Sequence, residues 1–394
     1  MKTWIIEPRD PLIARDGRPF TADPGARAKS LLFPFPSTTT GTVRTRYGFT
    51  QGDFNDPTQK ADLIAKVKGL GVKGPLLVEL TGDSEIKDWL LPAPADAVLF
   101  EAGAEQAHFK QLVPLSLPEG ARTDLPDDLR PVGFASYAEV SKRKPHKDAP
   151  RFWRKEHFLK WLENPQDQLI AINEPGHSGP TAESRVHVGI NPDTQAAIDG
   201  ALYQTSGLEF THKLNEKPLR LALAVMTSVD LPTGFAPLGG EQRLSHWRAS
   251  SQAFPDACPA GIRNAIKQNK ACRVVLLTPA HFAAGFRPDW LLQSRHGISP
   301  QLIAAAVGRP QVVSGWDYEL RRPKPTRRLA PAGSVYFLKL DDSGDIDQWI
   351  DTIWMNCVSD DDEGGNPAQT RLDGFGLAAL GTWSGEGKAM EVSQ

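Results

Sequence analysis

The ten residues Arg273 to Phe282 (RVVLLTPAHF) form a near-continuous apolar run in which Val274, Val275, Leu276 and Leu277 follow one another without a polar break. So short a run, with adjacent valines, reads as a strand buried on both faces. Such a strand needs an apolar layer on either side, which calls for helices or a second sheet packed against it. Three stretches have the matching pattern of a core-facing helix. In DIDQWIDTIWMN, Ile346, Trp349, Ile350, Ile353 and Trp354 recur at i, i+3, i+4, i+7 and i+8. Pro259, Ile262, Ala265 and Ile266 mark a helix with proline near its first turn, and Phe158, Trp161 and Leu162 share one face of RKEHFLKWLEN.

The amino-terminal half adds strands and two short helices. Residues 4–20 read as a first strand interrupted by Pro8 and Pro11, then a turn at Asp16 and Gly17. In FPFPSTTTGTVRTRYGF the prolines end at Pro36, so a helix is expected from about Ser37, with Ser37 as its N-cap and Val43 and Tyr47 on one face. Gly41 within that helix costs about 1 kcal/mol relative to alanine, which predicts a close backbone approach there. Arg44 and Arg46 project from a helix whose amino end favours anions. DPTQKADLIAKVKGLG predicts a short helix with Ile64 and Val67 on one face, and GPLLVELTG a strand. ESRVHVGINPDTQAAIDGALYQTSGLEF, with alternating Val186, Val188 and Ile190 and a turn at Asn191 to Asp193, predicts a long hairpin. PLRLALAVM and LGGEQRLSHWRAS read as further strands, and Ser299 and Pro300 as the start of a short helix closed by Gly308.

With 394 residues, 40% of them hydrophobic, two domains are likelier than one by size alone. The boundary is expected near residue 207, giving 1–207 and 208–394, with a proline- and charge-rich insertion at about 90–180 in the first. No run of about 18 apolar residues occurs and the amino terminus carries no secretory segment, so a cytoplasmic protein is expected. Cys258, Cys272 and Cys357 fit neither a disulfide framework nor a CxxC metal site.

The net charge of −2 argues against a free-standing nonspecific nucleic-acid binder, yet the cations are concentrated. One group is Lys142, Arg143, Lys144 and Lys147. The other lies in Gln311–Leu340, where two strand-like ends flank Arg321, Arg322, Lys324, Arg327 and Arg328, interrupted by Pro323 and Pro325. Neither proline can donate to a ladder, so this loop is expected extended and solvated, open to a polyanion or to an acidic protein partner. The acids Asp360, Asp361, Asp362 and Glu363 read as a solvated turn.

Motifs for chemistry are sparse. The glycines of DGFGLAALGTW lack the lysine and hydroxyl of a phosphate loop, and HExxH, EF-hand and GxSxG patterns are absent. No catalytic group, metal or cofactor is expected. The one constellation suited to metal-free RNA cleavage is His187 with Tyr203 and Arg185 as acid, base and cation; it supports the alternative of a metal-independent endoribonuclease.

In chain order, RDPLIARDGRPF, FPSTTTGTVRTRY, ESRVHVGINPDTQAAIDGALY, LGGEQR, SGWDYELRRPKPTRRLAPAGSVYF and GFGLAALG resemble the third Cmr subunit of type III-B CRISPR effector complexes, within the RAMP superfamily. The resemblance runs from about Pro8 to Gly381; Phe35 departs from it, where relatives tend to have proline. It implies an α+β protein of two ferredoxin-like (RRM-like, βαββαβ) domains, the second bearing the glycine-rich loop. It further implies a non-catalytic subunit that caps the 5′ tag of the crRNA and adjoins the large polymerase- or cyclase-like subunit and a neighbouring backbone RAMP subunit, with no membrane partner. Carried over by motif, the RNA contacts are Ser37, Thr38, Arg44, Arg46, Arg185, His187, Arg243, the cations Arg321, Arg322, Lys324, Arg327 and Arg328, and Gly374 with Gly376. Tyr318 and Phe375 are candidates for base stacking by proximity alone.

Overall fold

A computed structural model of the chain describes residues 1–15, 27–28, 30–103, 105–126, 128–136, 140, 142–214, 216–253, 257–317, 322–341, 343–361 and 368–390. The fold is α+β, dominated by strands, and by contact it forms two compact units. One comprises residues 1–87, 179–252 and 312–328; the other comprises 88–178, 253–311 and 329–394.

In the first unit, β1 (Lys2–Pro8) carries the buried triplet Trp4, Ile5 and Ile6. Further strands are β2 (Val72–Leu80), β3 (Thr181–Ile190), β4 (Ala197–Glu209), β5 (Lys217–Thr227), β6 (Gly234–Pro237) and β7 (Leu244–Ala249). Five of them are ordered β2-β5-β1-β7-β6, all antiparallel. Strand β5 is buried without a break from Leu221 to Met226, as suits a strand covered on both faces. Because β5 is laid between β1 and β2, contact cuts the chain differently from the linear boundary expected near residue 207.

Helix α1 (Pro36–Gln51) lies against β2 and β6, and α2 (Lys60–Lys68) lies against α1 through Leu63 and Val67. The start of α1 corrects the sequence expectation. Phe35 is the N-cap, without a side-chain cap bond, and Pro36 takes the first position, where its missing N–H loses nothing and its fixed φ is already helical. Ser37 therefore sits inside the first turn. Gly41 is exposed, and a β-carbon there would meet nothing within 4 Å, so no neighbouring strand approaches it closely. The expected hairpin is present as β3 and β4, paired from Thr181↔Glu209 to Val188↔Leu202.

The second unit is built on β8 (Ala271–Leu276), all six residues of which are buried. With β9 (Gln301–Ala306), β10 (Val335–Lys339) and β11 (Ala378–Thr382) it forms an antiparallel sheet ordered β9-β10-β8-β11. The helices expected from periodicity, α3 (Lys155–Glu163), α4 (Ala260–Asn269) and α5 (Ile346–Ile353), all contact β11. Asp345 caps α5 by accepting from Gln348 N at 3.0 Å. The segment 299–308 is a correction: β9 replaces the expected helix, because Leu302 to Ala306 pair with β10 and tertiary pairing overrides the helix preference of the alanines.

A charge lies at the centre of this unit. Arg273 on β8 and Asp96 are both wholly buried and ion-paired. Arg273 also donates to the carbonyls of Thr382 at 2.8 Å and Trp161 at 2.7 Å, and Trp161 Nε1 donates to Asp96 at 3.0 Å. The stretch of about 90–180, read from sequence as an insertion, thus supplies Asp96 and Trp161 to the core around β8. The acidic tract differs too. Asp360 is 2% exposed and accepts from the amides of Ala283, Asp289 and Trp290 at 2.8, 2.7 and 2.8 Å, its carboxyl pushed above the ordinary range by burial. Asp361 pairs with Arg371, while Asp362 and Glu363 lie outside the described residues.

Removing one partner of the buried pair leaves an uncompensated charge, so Asp96→Ala is expected to destabilise the chain by about 3–5 kcal/mol. Urea unfolding checks this, and the double change Asp96→Leu with Arg273→Met is expected to recover most of the loss.

Candidate nucleic-acid interface

The site begins with glycines that let three chain segments touch. Leu12 exchanges both backbone hydrogen bonds with Leu208 in β4, at 2.9 and 2.8 Å. A β-carbon at Gly207 would lie 2.8 Å from that of Pro11, and one at Gly239 would lie 2.6 Å from the carbonyl oxygen of Ile13. Gly239 also has φ +74°, and Gly240 N donates to Ile13 O at 2.7 Å. Both places demand the absence of a side chain, one of them for conformation as well.

This arrangement forms a shallow cleft in the surface, lined by Pro11, Ile13, Glu183, Arg185, Thr205, Gly207 and Arg243. Arg185 and Arg243, taken from separate motif blocks, meet here. The carboxylate of Glu183, 2.6 Å from Arg185 Nε, holds that guanidinium above its ordinary pKa by hydrogen bond and charge. Arg243 Nη2 donates to Glu241 at 2.9 Å, while Arg243 Nε is buried with no hydrogen-bond partner.

Strand alternation extends the site along the hairpin. Glu183, Arg185 and His187 share one face of β3, opposite Gly207, Thr205 and Tyr203 of β4. His187 Nε2 lies 2.8 Å from Thr205 Oγ1, and its ring stacks on that of Tyr203 with centroids 5.1 Å apart and planes 14° apart. On the other face Val186, Ile190 and Leu202 are 70%, 55% and 57% exposed, so their alternation marks an apolar surface on the hairpin.

The remaining sequence candidates do not line the cleft. Ser37 and Thr38 are half-buried in the first turn of α1. Arg44 donates to Leu70 O at 2.9 Å. Arg46 donates to the carbonyls of Phe235 and Pro232 and lies 5.5 Å from the Trp247 ring, with burial lowering its pKa. Both thus tie α1 to its surroundings. In the basic loop, Trp316–Asp317 pairs with Arg322–Pro323; Arg322, Lys324 and Arg328 are exposed and Arg327 is half-buried. Arg321 and Tyr318 lie outside the described residues.

Gly374 and Gly376, in the second unit, have φ +96° and +83°. A β-carbon at Gly376 would sit 2.8 Å from Ser359 N, and Thr278 Oγ1 donates to Gly374 O at 2.7 Å, so this loop is packed inward. Phe375 is 3% exposed, which removes it from base stacking. Sequence reasoning missed Glu183, Glu241, Thr205 and Gly207; the one available signal was the Glu-x-Arg spacing that occurs at both 183–185 and 241–243. Among the described residues no cluster of three or more His, Cys, Asp or Glu side chains is arranged to hold a metal ion.

A family model for CRISPR-associated protein (Cas_Cmr3) matches residues 4–383. No curated protein sequence matches the chain. Among solved structures, a chain of the type III-B Cmr-beta complex bound to cognate target RNA and AMPPnP superposes with a TM-score of 0.45 at 15% identity, covering 85% of this chain and 86% of that one. A chain of the same complex bound to cognate target RNA gives 0.43 at 15%, with the same coverage of 85% and 86%. A chain of the Csm3–Csm4 subcomplex in the type III-A CRISPR–Cas interference complex gives 0.37 at 11%, covering 88% and 94%.

Gly239→Val combines a left-handed backbone with a clash against Ile13 O and is expected to destabilise the chain by about 1–3 kcal/mol in thermal unfolding. Gly41→Ala, in open space on a helix, is expected to stabilise it by about 1 kcal/mol in the same assay.

Proposed function

Since the chain belongs to the CRISPR-associated protein (Cas_Cmr3) family, we propose that it is a non-catalytic RNA-binding subunit of a type III-B CRISPR effector complex. It caps the 5′ tag of the guide RNA and bridges the large polymerase- or cyclase-like subunit to the neighbouring backbone subunit, in the cytoplasm. In this reading the chain comprises two divergent ferredoxin-like domains.

The observation that carries the RNA-binding part is the cleft, where guanidiniums from two distant chain segments converge and a buried Nε of Arg243 lacks an acceptor. A single-stranded tag needs phosphate neutralisation and a surface for its bases. Arg185 and Arg243 supply the first, and the half-buried Tyr203 beside His187 supplies an aromatic surface, with base stacking contributing about 1–3 kcal/mol per base. Arg322, Lys324, Arg327 and Arg328 add a second positive surface, shared between RNA and the acidic groups of a partner subunit. No step of chemistry is asked of the site. His187 is engaged with Thr205 and lies flat on Tyr203, which suits positioning rather than proton transfer.

Binding of a 5′-tag RNA to the full chain, followed by fluorescence anisotropy, is expected to weaken about tenfold in Arg185→Ala and in Arg243→Ala; unchanged affinity in both removes the cleft from the RNA path. Neutralising Arg327 and Arg328 together is expected to flatten the slope of log K against log salt by roughly 1.4, at about 0.7 per phosphate on a single strand. In the assembled complex, a photoreactive base in the tag is expected to crosslink to this chain, whereas its absence would leave a protein-binding scaffold. Repeat RNA incubated with the chain in EDTA is expected to stay intact; specific cleavage lost in His187→Ala would instead make the protein a processing endoribonuclease.

A further inference from the structure

Both arginines of the cleft are already held by a carboxylate two residues earlier in the chain. Glu183 accepts from Arg185 Nε at 2.6 Å, and Glu241 accepts from Arg243 Nη2 at 2.9 Å. The other oxygen of Glu241 stands 3.6 Å from Arg15 Nη2. The two Glu-x-Arg triplets belong to different elements, β3 and the turn Gly240–Gln242, yet they meet at one cleft.

Fold stability does not account for them, because partly exposed ion pairs of this kind contribute little. Backbone geometry points the same way. Glu241 is held at φ +57° and ψ +25°, and Gln242 follows at φ +50°. Both are in the left-handed region, where residues with a side chain are strained and glycine is not. The chain keeps a carboxylate at 241 where glycine would relieve the backbone.

A carboxylate and a phosphodiester bind a guanidinium through the same fork of N–H donors, so each excludes the other. We propose that Glu183 and Glu241 are internal counter-anions that occupy Arg185 and Arg243 until an RNA phosphodiester displaces them. This rests on the reading of the cleft as a phosphate site. The exchange has a thermodynamic signature. A free arginine meeting a phosphate gains the whole of that contact, whereas an arginine already held by a carboxylate gains only the difference between the two anions. Binding at the cleft is therefore weaker than two unencumbered arginines would make it. A ligand with a single phosphate displaces only one of the two carboxylates, so the pairs favour a strand that brings consecutive phosphates.

The test uses the full chain and a single-stranded 5′-tag RNA, with anisotropy measured from about 50 to 200 mM salt. Glu183→Gln with Glu241→Gln is expected to bind about tenfold more tightly across that range. Glu241→Gly removes one carboxylate and suits the left-handed backbone, so it is expected to tighten binding severalfold without loss of thermal stability. Unchanged or weakened binding in both, while Arg185→Ala with Arg243→Ala loses affinity, overturns the counter-anion role and leaves the phosphate site standing. Unchanged affinity in that arginine double variant overturns both readings.

Discussion

The first unit depends on a close backbone approach that only glycine permits. Pro11 to Ile13 pass so near to residues 207 and 239 that a methyl group at either position would overlap main-chain or ring atoms. Because Leu12 is also hydrogen-bonded in both directions to Leu208, the first strand region, the hairpin and the turn after β6 are fixed to one another through their backbones. The side chains that follow these contacts, Arg185 on one segment and Arg243 on another, inherit that fixed spacing. Rigid backbone contact, not the flexible arginine stems, is what brings two distant sequence blocks to one cleft.

Arginine plays several distinct parts in this chain, and its partner decides which. Arg273 is buried with a carboxylate and carbonyls and belongs to the core. Arg44 and Arg46 donate to carbonyls at the rim of α1 and anchor that helix. Arg185 and Arg243 are each held by a side-chain carboxylate, and Arg322 and Lys324 are exposed to solvent. A guanidinium committed to backbone carbonyls has given its donors to the fold; one held by a single side-chain carboxylate keeps the option of exchange.

Much of the secondary structure was legible in the sequence, because periodicity reports burial directly. The apolar faces of α3 and α5, the uninterrupted burial of β8 and the hairpin of β3 and β4 all follow from spacing alone. Where the sequence misled, a non-local contact had won. The alanines of β9 are good helix formers that pair with β10, and Asp360, one acid in an acidic run, is drawn inward by three amides far from it in sequence. The site was half legible. Arg185 and Arg243 were singled out by the blocks they occupy, but their meeting depends on Pro11 and Gly207, whose proximity no local pattern encodes. Gly376 shows the converse: its missing β-carbon is demanded by Ser359, a neighbour that the glycine-rich composition alone does not reveal.

The buried pair of Asp96 and Arg273 also sets an order of events at the ribosome. The two residues are 177 positions apart, so at a synthesis rate of about 5–20 residues per second the carboxylate emerges roughly ten to thirty seconds before the guanidinium that neutralises it. Trp161, which donates to the same carboxylate, is made in the interval. Asp96 must therefore wait for β8, and the apolar face of α3 longer still for β11, so this nascent stretch is where a chaperone would find the growing chain most in need of cover.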